Sequence, residues 1–287
     1  MKKLALLLAA MGVVSAAAFA GSLQVTGINQ ELEYEHNNHG KANDVTLTTT
    51  VDMKYDDWSF AIQGGKFWKY GTKGADKKGL SSNNGRLQLD VWKSITPEFK
   101  LGYRFRGQKD FDRHYIRYDY AHDWFTSSAD IWYASVNEHN NNNVEMELFP
   151  LGVQYNGFAA KWFVNYKKNI KSNPKDGVKS YYEHQIRLYA PIYSDDAFAL
   201  SAEGRFTLVS DSKVKDNAPY RRYKDFGRTR LYLKANYKVT DAFSVYGTYG
   251  YEFRSFKYKN GATKNDADFY VGNKSYHDVT VGWNYTF

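Results

Sequence analysis

The chain has 287 residues, no cysteine, a formal net charge of +8 and a mean hydropathy of −0.65, yet 17% of its residues are aromatic and 25 are tyrosine. The lack of cysteine excludes thiol catalysis and disulfide scaffolding. The basic excess is spread without a dense block, which argues against nucleic-acid binding and allows attraction to anionic solutes or to lipopolysaccharide phosphate. A polar average beside so many aromatics suits a sheet whose alternate residues face lipid and water, with Tyr and Trp at the two interfaces.

Residues 1–20 read as an export signal. Lys2 and Lys3 precede the apolar run Leu4 to Met11, and Ala18-Phe19-Ala20 supplies a small-x-small cleavage pattern before Gly21. Residues 21–287 contain no apolar stretch long enough for a membrane helix. They show instead alternating segments of about ten residues, the length a tilted strand needs to cross a bilayer. In Val45 to Tyr55 the residues Val45, Leu47, Val51, Met53 and Tyr55 share one face, and Thr46, Thr48, Thr50, Asp52 and Lys54 the other. Thr229 to Val239 and the C-terminal Asp278 to Phe287 repeat the pattern.

In chain order the alternation predicts strands near 22–36, 45–55, 58–71, 85–95, 99–109, 113–125, 128–138, 144–155, 158–169, 180–193, 197–210, 229–239, 243–257 and 275–287. Phe149-Pro150 marks a bulge in the eighth, since proline cannot donate to a ladder. Tight turns are expected at Asp56-Asp57, Thr96-Pro97-Glu98, Thr126-Ser127, Asn156-Gly157, Ser194-Asp195-Asp196 and Thr240-Asp241-Ala242. Longer polar connections fall between them, at Asn37 to Asp44, Thr72 to Asn84, Ser172 to Lys179, Asp211 to Arg228 and Lys259 to Lys274. Short turns at one end and long loops at the other predict an all-β fold, a transmembrane antiparallel up-and-down β-barrel of about fourteen strands in the outer membrane. A ring of that size leaves a water-filled pore for small hydrophilic solutes, ions and sugars, surrounded by outer-membrane lipid and lipopolysaccharide.

On these registers Asp52, Arg86, Asp90, Arg104, Arg106, Arg117, Asp119, Glu145 and Glu147 point inward. So do Lys161, Glu183, Arg187, Glu203, Arg205, Lys234, Glu252 and Arg254. Facing lipid, an Arg or Lys near mid-bilayer would cost about 2 to 4 kcal/mol; facing water it costs little and shapes the local field. The plainer account of any one of these charges is that it solvates the wall or pairs across strands.

From about Val144 onward, Val144-Glu145-Met146-Glu147, Gly152-Val153-Gln154-Tyr155, Val164-Asn165-Tyr166, Ile186-Arg187-Leu188-Tyr189-Ala190-Pro191 and Trp283-Asn284-Tyr285-Thr286-Phe287 follow one another. Their order resembles the outer membrane porin G family of monomeric fourteen-stranded general porins, over roughly the C-terminal half. The resemblance implies a monomeric, non-selective pore with rings of Glu and Arg, Glu145, Glu147 and Arg187 on matching positions. It also implies pH gating through a histidine pair near the tops of strands 12 and 13. This chain departs there, with no histidine between His184 and His277 and with Lys224 and Lys257 in that neighbourhood. The terminal Phe287 resembles the aromatic end that the barrel-assembly machinery recognises.

Rival readings attach to a few clusters. His114 with Asp112, or His122 with Asp119 and Asp123, would need a positioned nucleophile or water to hydrolyse anything, and nothing in the sequence fixes one. Glu33, Glu35, His36 and His39 are metal-ligand types, but beside Asn37, Asn38 and Gly40 they read as a solvated loop tip. No cofactor is implied and no enzymatic activity is expected. Tyr220-Arg221-Arg222-Tyr223-Lys224 reads as a solvated or membrane-surface loop, with an inward constriction as the other option. Within transport, a basic track of Arg104, Arg106, Arg117, Arg187 and Arg205 would instead suit acidic oligosaccharides.

Overall fold

The structure is a computed structural model. It describes residues 23–37, 42–71, 79–137, 141–170, 178–215, 220–223, 225–261 and 274–287. The expected signal segment and the long-loop residues His39 and Lys224 lie outside the described residues.

Strand follows strand as the alternation requires. The first eight are β1 (Gln24–Asn37), β2 (Ala42–Tyr55), β3 (Trp58–Gly71), β4 (Gly79–Ser94), β5 (Phe99–Gln108), β6 (Phe111–His122), β7 (Phe125–Val136) and β8 (Asn143–Tyr155). The rest are β9 (Phe158–Asn169), β10 (Val178–Ser194), β11 (Phe198–Val214), β12 (Tyr220–Arg222), β13 (Arg228–Lys238), β14 (Phe243–Arg254), β15 (Lys257–Lys259) and β16 (Lys274–Thr286). Fourteen of them form one closed antiparallel barrel in the order β1-β16-β14-β13-β11-β10-β9-β8-β7-β6-β5-β4-β3-β2, and β12 pairs with β15 in a separate two-stranded sheet. Closure by β1 against β16, from Gly27 opposite Thr286 to Asn37 opposite Tyr276, removes both free edges. A sheet can lie in hydrocarbon only when every ladder group is paired in this way.

The two faces differ as lipid and water demand. Ile116 is 71% exposed, and Leu233, Leu87, Leu101, Leu188 and Val281 are likewise exposed on the outside. Thr48, Gln88, Asp90, Glu183, Gln185, Glu203, Thr207 and Glu252 are buried on the inside. Apolar out and polar in is the reverse of a water-soluble sandwich. Even the ten-residue β5, at about 3.3 Å per residue and a tilt of about 40°, spans about 25 Å, the height of a membrane barrel's apolar band.

The turns explain the register. Asn156 and Gly157 both take positive φ, 48° and 81°, the mirror-image turn whose twist matches a hairpin. The turn expected at Thr126-Ser127 is displaced to Asp123-Trp124: Asp123 adopts φ 50°, and β6 pairs with β7 through His122 opposite Phe125. Asp tolerates the left-handed region far better than the β-branched Thr126, which goes into the strand. The ladder between β8 and β9 skips from Leu148 to Leu151, so the Phe149-Pro150 bulge lies where the missing proline donor puts it.

Candidate functional site

Register fixes which side chains share the inner face. Asp52 lies opposite Ala61, which lies opposite Asp90, and Asp90 lies opposite Arg104. Arg86 and Arg106 share the face with Gln88, and Gly102 lies opposite Arg117, as Lys100 does Asp119. Continuing round, Asp130 lies opposite Glu147 and Trp132 opposite Glu145; Arg187 lies opposite Lys161 and Arg205; Glu183 lies opposite Asn165. Tyr189 opposite Glu203, Ser201 opposite Lys234, Arg230 opposite Glu252 and Arg228 opposite Arg254 complete the circuit. By register these residues share one face of the sheet with the buried Thr48, Gln88 and Gln185.

Two arcs of that face gather most of the charge. On β4 to β7, Arg104 Nε donates to Asp90 Oδ1 at 2.6 Å and Arg117 Nη1 reaches the same oxygen at 2.7 Å. Arg117 Nε meets Asp130 Oδ1 at 2.6 Å, and Arg104 approaches Asp130 at 3.7 Å. These two arginines and two aspartates neutralise one another. Trp92 floors the cluster, 4.5 Å from the Arg117 guanidinium, and Gly102 leaves room for it, since a Cβ there would lie 2.5 Å from the Trp92 ring.

On β10 to β14, buried carboxylates act as hubs. Glu252 accepts from Arg228 at 3.2 Å and also from Arg230 and Arg254. Glu183 accepts from Thr207 at 2.6 Å, Gln185 at 2.7 Å, Tyr181 at 2.8 Å and Arg228 at 3.3 Å. Glu203 holds Arg205 and Lys234, each at 2.5 Å. Buried ions are tolerated only when paired and hydrogen-bonded, which these are.

Several residues of the face were not singled out from the sequence. Arg113, Tyr115, Asp130, Arg228 and Arg230 complete the two arcs. Glu31, Glu33 and Glu35 of β1 lie opposite Gly282, Thr280 and Asp278 of β16, and Tyr246 donates to Glu31 at 2.9 Å. The signal was present: Glu31, Glu33 and Glu35 alternate with Leu32 and Tyr34. Reading Glu33, Glu35, His36 and His39 as one loop tip is therefore corrected. Glu33, Glu35 and His36 belong to β1, and the pleat turns His36 to the other face, against the His277 ring at 6.1 Å. Among the described residues no group of three or more His, Cys, Asp or Glu is placed to hold a metal.

Of the hydrolytic candidates, Asp112 and His114 share the outer face of β6, and only Asp119 is parted by the pleat from His122. His114 lies on the outside, its Nδ1 2.7 Å from the Tyr103 hydroxyl, and His122 reaches Asp123 at 3.4 Å while Asp119 takes the inner face. His184 bonds Trp162 at 3.3 Å, and His277 bonds Tyr249 at 2.8 Å. Imidazoles among exposed aromatics suit an interfacial girdle.

The segment read as a solvated loop, Tyr220 to Tyr223, is instead bonded to the wall. Tyr220 to Arg222 pairs with Lys257 to Lys259, Arg222 meets Asp211 at 2.7 Å, and the Ser210 amide donates to the Tyr223 carbonyl at 3.0 Å. Tyr223 packs on Phe256 at 4.7 Å and under Arg228 at 5.6 Å, which anchors this flap at the barrel mouth.

No protein-family profile and no curated protein matches the chain. Solved structures do. A bacterial polysaccharide outer membrane secretin superposes with a TM-score of 0.55 at 10% identity, covering 92% of this chain and 98% of its own. OmpT, an outer membrane protein of Vibrio cholerae, gives 0.45 at 11% identity over 92% and 97%. The Acinetobacter baumannii outer membrane protein Omp33 gives 0.43 at 10% identity over 93% and 100%. The first likeness concerns the fold alone, and with the closed ring of fourteen antiparallel strands it makes this chain's architecture that of a multi-pass outer-membrane β-barrel.

Proposed function

We propose that the protein is an outer-membrane porin, a water-filled channel for passive diffusion of small hydrophilic solutes, ions and sugars. One observation carries the reading. A ring of fourteen strands with no free edge buries Asp90, Glu183, Glu203 and Glu252 on the inside and carries large apolar side chains on the outside. Rings above about eight strands are too wide for side chains to fill. Arg104 with Asp90, Arg230 with Glu252 and Lys234 with Glu203 pair along the wall, between neighbouring strands.

The resemblance to the porin G motifs supports a monomeric general pore, with Glu145, Glu147 and Arg187 among the lumen charges. Outer-membrane lipid and lipopolysaccharide surround it, and the barrel-assembly machinery engages Phe287. No catalytic role and no nucleic-acid partner is assigned, and gating by the family's histidine pair is not part of the reading because the pair is missing from this sequence. The chain refolded and reconstituted in a planar bilayer gives discrete, ohmic current steps in potassium chloride. A barrel that shows heat-modifiable mobility yet passes no current overturns the channel.

A further inference from the structure

Three lumen arginines stand apart from the ion pairs described above. Arg106 of β5 lies directly opposite Arg113 of β6, and Arg86 of β4 is the diagonal neighbour of Arg106, through Arg86 opposite Gln108 and Gln88 opposite Arg106. Like charges directly opposite on one sheet face repel. Asp90 and Asp130 relieve that repulsion for Arg104 and Arg117, one turn of the pleat away. Among the described residues Arg86, Arg106 and Arg113 form no ion pair.

Their neutral contacts are few. Arg106 Nε donates to Gln88 Oε1 at 2.7 Å, and Arg113 Nη1 lies 3.4 Å from the Tyr115 hydroxyl. The Nε atoms of Arg86 and Arg113 are enclosed without a partner. Each guanidinium rests on a ring: Arg86 at 4.9 Å from Phe67, Arg106 at 5.6 Å from Tyr115, Arg113 at 4.3 Å from Phe111. Stacking covers one face of a guanidinium, and with Nε enclosed or held by Gln88 the terminal Nη groups are the ones left to donate. Glu31 and Glu33 on β1 act on Arg86 only through space.

We propose that Arg86, Arg106 and Arg113 form an anion station on the lumen wall, which takes the carboxylate or phosphate group of a soluble solute. A planar fork matches the paired oxygens of either group, and two adjacent forks can share one oxyanion. Bound there, the solute supplies a negative charge in contact with the guanidiniums, which no side chain among the described residues does. The station rests on the channel reading for its access to solute, and it deepens that reading by naming a solute class.

Two readouts on the full-length folded chain test it independently. In planar bilayers, citrate and pyrophosphate block the open-channel chloride current, and the half-blocking concentration rises at least tenfold in R106Q/R113Q. In detergent, the same two anions change the tryptophan fluorescence, through Trp132 at 5.5 Å from Arg113, and this titration weakens equally in the variant. Response to citrate alone assigns carboxylated solutes, response to pyrophosphate alone assigns phosphorylated ones, and either supports the station. R106K/R113K keeps the charge and loses the fork, so block as strong as wild type would overturn it. Currents without block or titration would refute the station and leave the channel standing. Titration without current would refute the channel and leave the station standing. Heat-modifiable mobility reports folding of each variant, and R86Q, with an expected threefold or greater weakening, serves if the double variant fails to fold.

Discussion

The arcs β4 to β6 and β10 to β14 put the same residue type on the same face and use it differently. Arg187, Arg205 and Arg230 form a row across β10, β11 and β13, as Arg106 and Arg113 do across β5 and β6. In the first row Glu203 holds Arg205 and Glu252 holds Arg230; only Arg187 lacks an ion pair, and it bonds Gln185 at 3.0 Å over the Phe163 ring. In the second row no carboxylate is interposed. An arginine row is therefore wall cement where buried glutamates alternate with it, and an open binding surface where they do not.

The sharpest way to break that contrast is to remove a hub. Glu252 is 2% exposed and serves three guanidiniums. E252Q leaves Arg230 and Arg254 without a carboxylate and Arg228 with Glu183 alone, and the barrel should lose about 3 to 5 kcal/mol in denaturant unfolding from lipid vesicles. No measurable loss would mean that the glutamates are not structural. Reversing the faces comes next. L233R puts a cation in lipid and should cost about 2 to 4 kcal/mol, whereas T248R on the inner face of the adjacent strand should cost a fraction of that; equal costs would deny the two-faced sheet. Filling a floor follows: G282A brings a Cβ within 2.6 Å of the Gln30 carbonyl and against the Tyr246 ring, with an expected penalty of about 1 to 3 kcal/mol.

In the open arc the sign changes. R106Q/R113Q removes a repelling pair, so stability should hold or rise by a few tenths of a kcal/mol while reversal potential in a salt gradient moves toward cations. A fall like that of E252Q would make these arginines structural too. The smallest effect concerns the short turn outside the sheet. The Tyr193 hydroxyl and the Phe198 and Ala197 amides hold the Asp195 carboxyl below the usual carboxylate range. Its contribution is complete above the ordinary value near 3.8 and is lost as pH falls through the lower folded value. D195N should therefore differ slightly from the parent at neutral pH and match it in strong acid, read by unfolding midpoints.

The fold was legible because membrane and lumen impose a period of two on each strand. The alternation of Leu231, Leu233 and Tyr237 with Arg230, Lys234 and Asn236 states both face and length, and the strand count follows. What escaped was set by backbone freedom at strand ends. Asp123 and Trp124 read as strand, but Asp123 turns the chain there and Phe125 begins β7, and β4 starts at Gly79 within a stretch that reads as loop. The alternation assigns each charge to a face, whereas it does not assign its partner. Nothing local distinguishes Arg104, neutralised by Asp90 from the neighbouring strand, from Arg106, which meets Gln88 at the equivalent place. Pairing across strands depends on register, and register depends on turns and bulges such as Phe149-Pro150.

The passage of water past alternate residues is open to direct measurement, because a chain without cysteine accepts single cysteines cleanly. Thr248 faces the lumen and Leu233, on the paired strand, faces out. With either residue replaced by cysteine, a charged, membrane-impermeant thiol reagent added during bilayer recording should step the current down for T248C and leave L233C unchanged. Equal responses at the two positions, or none at either, would contradict a water-filled channel through this barrel.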